Sequence, residues 1–139
     1  MAGPVNRIRL VAALAALLLM GACHGGTGSA RGAAEGFLDE HYVHIDLEAA
    51  KRYCVGVALS KVEDEQRLVG DQQIDASTRR PHVSYALAEQ RAEGDDRAEL
   101  VYNATIRFDD GDTTSLRWLI TARREADGQW KVSNYQEFQ

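Results

Sequence analysis

The chain has 139 residues, 45% of them hydrophobic, and its 16 Lys and Arg against 21 Asp and Glu give a net charge of −5. That length holds one modest domain, and an acidic balance with no clustered basic face argues against nucleic acid as a partner. The composition is uneven: residues 1–22 carry 16 hydrophobic residues and no acid, whereas residues 23–139 carry 14 Lys and Arg against 21 Asp and Glu, a net charge of −7. A hydrophobic leader is joined to a soluble, mildly acidic domain.

In the leader, Arg7 and Arg9 precede an apolar run over residues 10–20, and the small residues Gly21 and Ala22 precede Cys23. Eleven residues at about 1.5 Å each reach roughly half of a ~30 Å hydrocarbon core, so this run reads as a signal peptide rather than a membrane-spanning helix. The stretch Leu19-Met20-Gly21-Ala22-Cys23 resembles the lipobox of bacterial lipoproteins, with Met20 where Leu is usual. The resemblance implies recognition of Leu19, Met20, Gly21 and Ala22 by the lipoprotein signal peptidase, and lipid attachment at Cys23. It also implies a palmitate-type acylated, extracytoplasmic chain held to a bacterial membrane, since two or three acyl chains anchor durably. His24 stands where Asp would signal inner-membrane retention, which favours the outer membrane in a cell that has two. The alternative is an ordinary secretory signal with Cys23 as a bystander.

Residues 23–32 are rich in Gly and read as a flexible tether of about 20 Å reach that leaves the orientation of the domain free. With Cys23 committed to lipid, Cys54 has no partner within the chain, and it reads either as a small buried hydrophobe or as a reactive or intermolecular thiol.

The remaining residues, 33–139, form a single domain. Ala34, Phe37, Leu38, Tyr42 and Ile45 recur at three- and four-residue steps, which predicts one amphipathic helix with His41 on the same stripe. Asp46 is placed to cap a second helix whose inner face holds Leu47, Ala50, Cys54 and Val57, with a bend at Gly56. A third stripe, Ala58, Leu59, Val62, Gln66 and Val69, stops at Gly70, with Lys61 and Glu65 expected to face water; residues 71–80 have no period and read as a loop. After Pro81 the period becomes two. Val83, Tyr85 and Leu87 alternate, then Ala98, Leu100, Tyr102, Ala104, Ile106 and Phe108, then Leu116, Trp118, Ile120 and Ala122, then Trp130 and Val132. Turn signals at residues 93–96, 109–112 and 126–129 separate them, and the parity of Tyr135 against Trp130 predicts a bulge near Ser133 and Asn134.

Helices followed by a four-stranded antiparallel meander define an α+β fold in which the helices cover one face of a curved sheet. This order, ending in Gly128-x-Trp130-x-Val132, resembles the nuclear transport factor 2-like, or cystatin-like, cone. The resemblance implies either a binding domain or an isomerase-, dehydratase- or cyclase-type enzyme with an Asp or His base inside the cone. None of the residues expected on the concave face of the strands is a carboxylate or a His, so that catalytic pattern is not matched there.

His41 is the one catalytic candidate, a general base beside a Tyr, against the plainer reading of a hydrogen-bonded core histidine. Tyr42, Tyr85, Tyr102 and Trp118 are candidates to line an apolar pocket, or else fill an ordinary core. His41 and His44, with Asp39 or Glu40, lack a distant third ligand, and the Asp109, Asp110 and Asp112 turn lacks the spacing of a calcium loop, so no metal and no cofactor is expected. Val101 and Leu119 face outward and mark a candidate docking patch. The sequence thus reads as a lipid-anchored envelope protein whose domain binds a small apolar ligand or a protein partner without catalysis; the alternative is a small cone enzyme using His41.

Overall fold

The computed structural model describes residues 26–70 and 80–139; the leader, the lipobox with Cys23 and the 71–79 part of the expected loop lie outside the described residues. Helix α1 spans Ala30–Leu38, α2 Leu47–Lys51 and α3 Gly56–Val69, followed by strands β1 His82–Ala92, β2 Arg97–Arg107, β3 Thr113–Arg124 and β4 Trp130–Phe138. The four strands form one antiparallel sheet in the order β1-β2-β3-β4, the expected meander. None of the described helices is long and apolar enough to cross a membrane.

Helix α1 starts at Ala30, ahead of the expected boundary at Ala33, because Ser29 caps it, its hydroxyl accepting the Gly32 N–H at 2.9 Å. Thr27 is also held, its carbonyl accepting the Trp130 N–H at 2.8 Å, and a Cβ on Gly32 would lie 2.1 Å from the Gly26 carbonyl oxygen. The part of the expected tether that is described is therefore folded against α1 and the start of β4.

The helix expected to run to Ile45 changes its winding after Leu38. Asp39–Val43 form a π-helical turn, which sets the His41 and Tyr42 rings side by side with centroids 4.2 Å apart. Ile45 ends it in the left-handed region, φ 57°, a strained conformation for a β-branched residue. That bend lets Asp46 cap α2 by accepting the Ala49 N–H at 2.9 Å. The expected continuation of α2 through Cys54 to Val57 is not observed. Instead, Tyr53 and Val55 exchange backbone hydrogen bonds with Val132 of β4 at 2.7 and 2.9 Å, while Val57 is exposed. Cys54 is buried all the same, because it sits in this extended bridge to the sheet.

The strands follow the alternation expected of them. Leu100, Tyr102 and Ala104 of β2 and Trp118, Ile120 and Ala122 of β3 are buried, and the Thr121/Ala122 register shift leaves Ser133 as the extra residue of β4, so that Val132 and Tyr135 both face the helices. A second bulge, at Ala88 between Leu87 and Glu89 of β1, was not signalled by any parity break in the apolar residues. Aromatic side chains occupy the concave face: Tyr42 stacks on Trp118 at 4.2 Å, and Phe37 meets Tyr135 at 4.8 Å.

Trp118 is fully buried, yet its Nε1 has no hydrogen-bond partner among the described residues. Trp118→Ala is therefore expected to lower the urea-unfolding free energy by about 3–5 kcal/mol. Trp118→Phe, which removes the unsatisfied N–H and keeps a ring against Tyr42, is expected to cost less than half as much.

Candidate functional site

Three groups of polar side chains meet the aromatic interior. The first is centred on Glu65 of α3, whose carboxylate lies 2.6 Å from His41 Nε2 and accepts the Tyr135 hydroxyl at 2.6 Å. One turn earlier on the same helix, Lys61 Nζ donates to the Tyr135 carbonyl at 2.7 Å and to Asn134 Oδ1 at 2.9 Å, and it lies 5.0 Å from the Tyr135 ring centroid. The expectation that Lys61 and Glu65 face water is thus corrected: both are half-buried, since Glu65 follows the buried Val62 by three positions and shares its side of the helix. The His41 side chain is 8% exposed, that of Glu65 39%, so the pair reaches solvent through the carboxylate. His41 Nδ1 is buried without a hydrogen-bond partner among the described residues.

The second group is Tyr42, whose hydroxyl donates to Glu137 of β4 at 2.7 Å. The third lies where α1 passes β1. Arg31 Nε donates to Glu35 at 2.7 Å, and the Tyr85 hydroxyl donates to Asp39 at 2.5 Å. A cavity of about 360 Å³ opens there, lined by Arg31, Glu35, Asp39, Tyr85, Ala86 and Leu87. The buried Tyr102 hydroxyl has no hydrogen-bond partner among the described residues, and the charge of Glu35 adds to the effect of burial in raising its pKa.

Burial raises the pKa values of Tyr42, Tyr85, Tyr102 and Tyr135, and the neighbouring carboxylates Glu137, Asp39, Glu35 and Glu65 reinforce the rise. These hydroxyls stay protonated, and those of Tyr42, Tyr85 and Tyr135 act as donors to the carboxylates. Cys54 donates its thiol to the Ala50 carbonyl at 3.3 Å, and burial pushes its pKa up to about 12. This is the environment of a structural thiol.

Of the four expected pocket-lining aromatics, Tyr85 borders the α1–β1 cavity, while Tyr102 and Trp118 are fully buried and Tyr42 stacks on Trp118. His41 and His44 diverge: His41 turns inward to Glu65, and the exposed His44 lies 3.3 Å from Glu40 on its own helix. Among the described residues no group of three His, Cys, Asp or Glu side chains could hold a metal ion. The 109–112 segment closes as a hairpin, with Gly111 at φ 95° and the Phe108 N–H bonded to the Asp112 carbonyl. On the outer face, Val101 and Leu119 are cross-strand neighbours, and with Arg117, Trp118 and the half-exposed Phe138 they border a hollow of about 280 Å³.

No protein-family model matches the chain, and neither does any curated protein. Two solved structures are similar. One is a ketosteroid isomerase-like protein from Erwinia carotovora atroseptica SCRI1043, with a TM-score of 0.56 and 16% identity over 80% of this chain and 93% of that one. The other, from Thiobacillus denitrificans ATCC 25259, is described as a calcium/calmodulin-dependent protein kinase type II association domain; it has a TM-score of 0.56 and 13% identity over 76% of this chain and 90% of that one. The domain has the nuclear transport factor 2-like fold that the element order implied.

The Cys54 thiol is pushed up to about 12 in the folded state, whereas an unperturbed thiol titrates near 9.0. Between those values the unfolded chain binds fewer protons, so folding stability falls as pH rises from about 9 toward 12. Cys54→Ala is expected to delay the onset of this loss to about pH 10, where the buried tyrosines begin to contribute. Denaturant titrations at half-unit pH steps measure the shift.

Proposed function

We propose that the chain is a lipid-anchored cell-envelope protein whose nuclear transport factor 2-like domain is a non-enzymatic binding module for a protein partner or a small apolar ligand. The lipobox resemblance at Leu19-Met20-Gly21-Ala22-Cys23 supports the anchor. The observation that carries the binding reading is the filled concave face: Phe37, Tyr102 and Trp118 are fully buried where an enclosed substrate would sit. Apolar side chains also lie on the outside, where half-buried Val101 and Leu119 and half-exposed Phe138 border a hollow of about 280 Å³, at the lower end of the ~300–1,000 Å³ typical of ligand pockets. Such a hollow suits an apolar side chain of a protein partner.

The second reading is a small isomerase-, dehydratase- or cyclase-type enzyme with His41 as base. The observation favouring it is the chain from His41 to Glu65 to Tyr135, a histidine oriented by a carboxylate. The fold does not choose between the readings, because it is shared by an isomerase-like protein and an association domain.

Globomycin treatment of the host should block maturation, and intact mass should show acyl groups on Cys23 that Cys23→Ser loses. A photo-crosslinker at Leu119 should then capture a discrete envelope protein, and Val101→Asp should abolish the capture while leaving folding intact. No adduct, together with loss of host function in His41→Gln, would transfer the assignment to the enzyme reading.

A further inference from the structure

The short stretch of sequence between Cys23 and Gly26, the first described residue, bears on which end of the domain a lipid on Cys23 would bring to a membrane. Gly26 lies against the first turn of α1, and Thr27 is hydrogen-bonded to Trp130 at the start of β4. Only three Cα–Cα steps separate Cys23 from Gly26, and at 3.8 Å each they span no more than about 11 Å in any conformation. A 20 Å coil would let a small domain tumble; an 11 Å leash fixed at one end of the sheet does not.

That end is defined by strand direction. Arg97 pairs with Arg123 and Arg124 with Trp130, so the β1–β2 turn at residues 93–96 and the β3–β4 turn at residues 125–129 share it with Gly26. The Arg124 N–H bonded to the Asp96 carbonyl at 2.7 Å ties the two turns together. The β2–β3 hairpin lies at the other end, and ten steps of about 3.3 Å along β3 put Thr114 roughly 33 Å from Arg124.

We propose that the tip of the sheet formed by the 93–96 and 125–129 turns and Trp130 is a membrane-apposed face whose partner is the bilayer surface. This rests on the lipid-anchor reading above. The polarity is set by the leash and not by charge. The two turns of the near tip carry Glu93, Asp95, Asp96, Glu125 and Asp127, and the strand ends beside them carry Arg91, Arg97, Arg123, Arg124 and Lys131, of which Arg97 and Arg91 pair with Glu93 at 3.2 and 3.4 Å and Arg123 pairs with Glu125 at 3.4 Å. Lys131 Nζ reaches the Arg52 carbonyl at 2.5 Å, which places α2's end on the same tip. Half-buried Trp130 sits where an aromatic ring tolerates the headgroup region. The consequence is that the outer hollow at Phe138 and the Tyr42–Glu137 contact are presented away from the lipid, toward the envelope space.

The test uses the full chain purified from host membranes and reconstituted in phosphatidylcholine/phosphatidylglycerol vesicles carrying a headgroup nitroxide lipid. Two variants, Ala126→Cys and Thr114→Cys, both at exposed positions, take a fluorophore, while buried Cys54 stays unlabelled. Quenching at position 126 is expected to exceed that at position 114 several-fold, and a twelve-residue Gly-Ser insertion between Gly25 and Gly26 is expected to abolish the difference. Equal quenching at the two positions of an acylated protein, or stronger quenching at 114, overturns the orientation and leaves the anchor standing. An intact mass without acyl groups overturns the anchor reading and this proposal with it.

Discussion

The stack of Tyr42 on Trp118 is the contact through which the helical layer and the sheet define each other. Trp118 stands at the middle of the curved sheet, cross-strand from Tyr102 on one side and Glu137 on the other. Tyr42 lies flat on it and extends its hydroxyl to Glu137, so one side chain spans β3 and β4 from the helical side. For Tyr42 to reach that position while His41 turns to Glu65, the two consecutive residues must both point inward. An α-helix spreads neighbours by about 100°, and the π-helical turn at Asp39–Val43 accommodates the pair. The left-handed Ile45 follows from the same requirement, because the chain must leave the widened turn and enter α2 within three residues.

This arrangement bears on how the fold is used. An interior filled by Phe37, Tyr102 and Trp118 has close-packed density, and opening a chamber for a substrate there would forfeit the contacts that hold the layers together. The polar network of Glu65, His41, Tyr135 and Lys61 then has a sufficient structural role: it fastens α3 to π-turn and β4 with hydrogen bonds that satisfy most of its own members. His41 Nδ1 is the exception. Outside this packed interior lie the hollow at Val101, Leu119 and Phe138 and the cavity between Arg31 and Tyr85.

The strands were legible because a half-buried strand alternates with a period of two, and Leu100, Tyr102 and Ala104 or Trp118, Ile120 and Ala122 carry that period without interruption. Even the Ser133 bulge was readable, from the parity of Tyr135 against Trp130. The helices were less legible, since their departures from regularity leave no periodic trace. A π-turn uses the same apolar spacing as an α-helix over so short a span, and the Tyr53–Val55 bridge to β4 depends on a partner some 80 residues away. The site suffered most. His41 stood out as a histidine on an apolar stripe, but its partner Glu65 is one of a run of charges on α3, and only its offset of three from Val62 distinguishes it from solvated neighbours. Glu35, Asp39 and Glu137 gain their meaning from tyrosines brought to them by the tertiary fold.

The bridge between Tyr53–Val55 and Val132 has a consequence for self-association. An open four-stranded sheet offers two rows of unpaired backbone groups, and such rows on neighbouring copies can pair with one another. The short extended segment covers part of the β4 row, which leaves β1 as the open margin among the described residues. There the Ala88 bulge breaks the regular spacing of donors and acceptors, and Glu89 and Arg91 follow it with opposite charges. The margin most exposed to neighbouring copies is therefore irregular and charged, a poor template for edge-to-edge polymerisation.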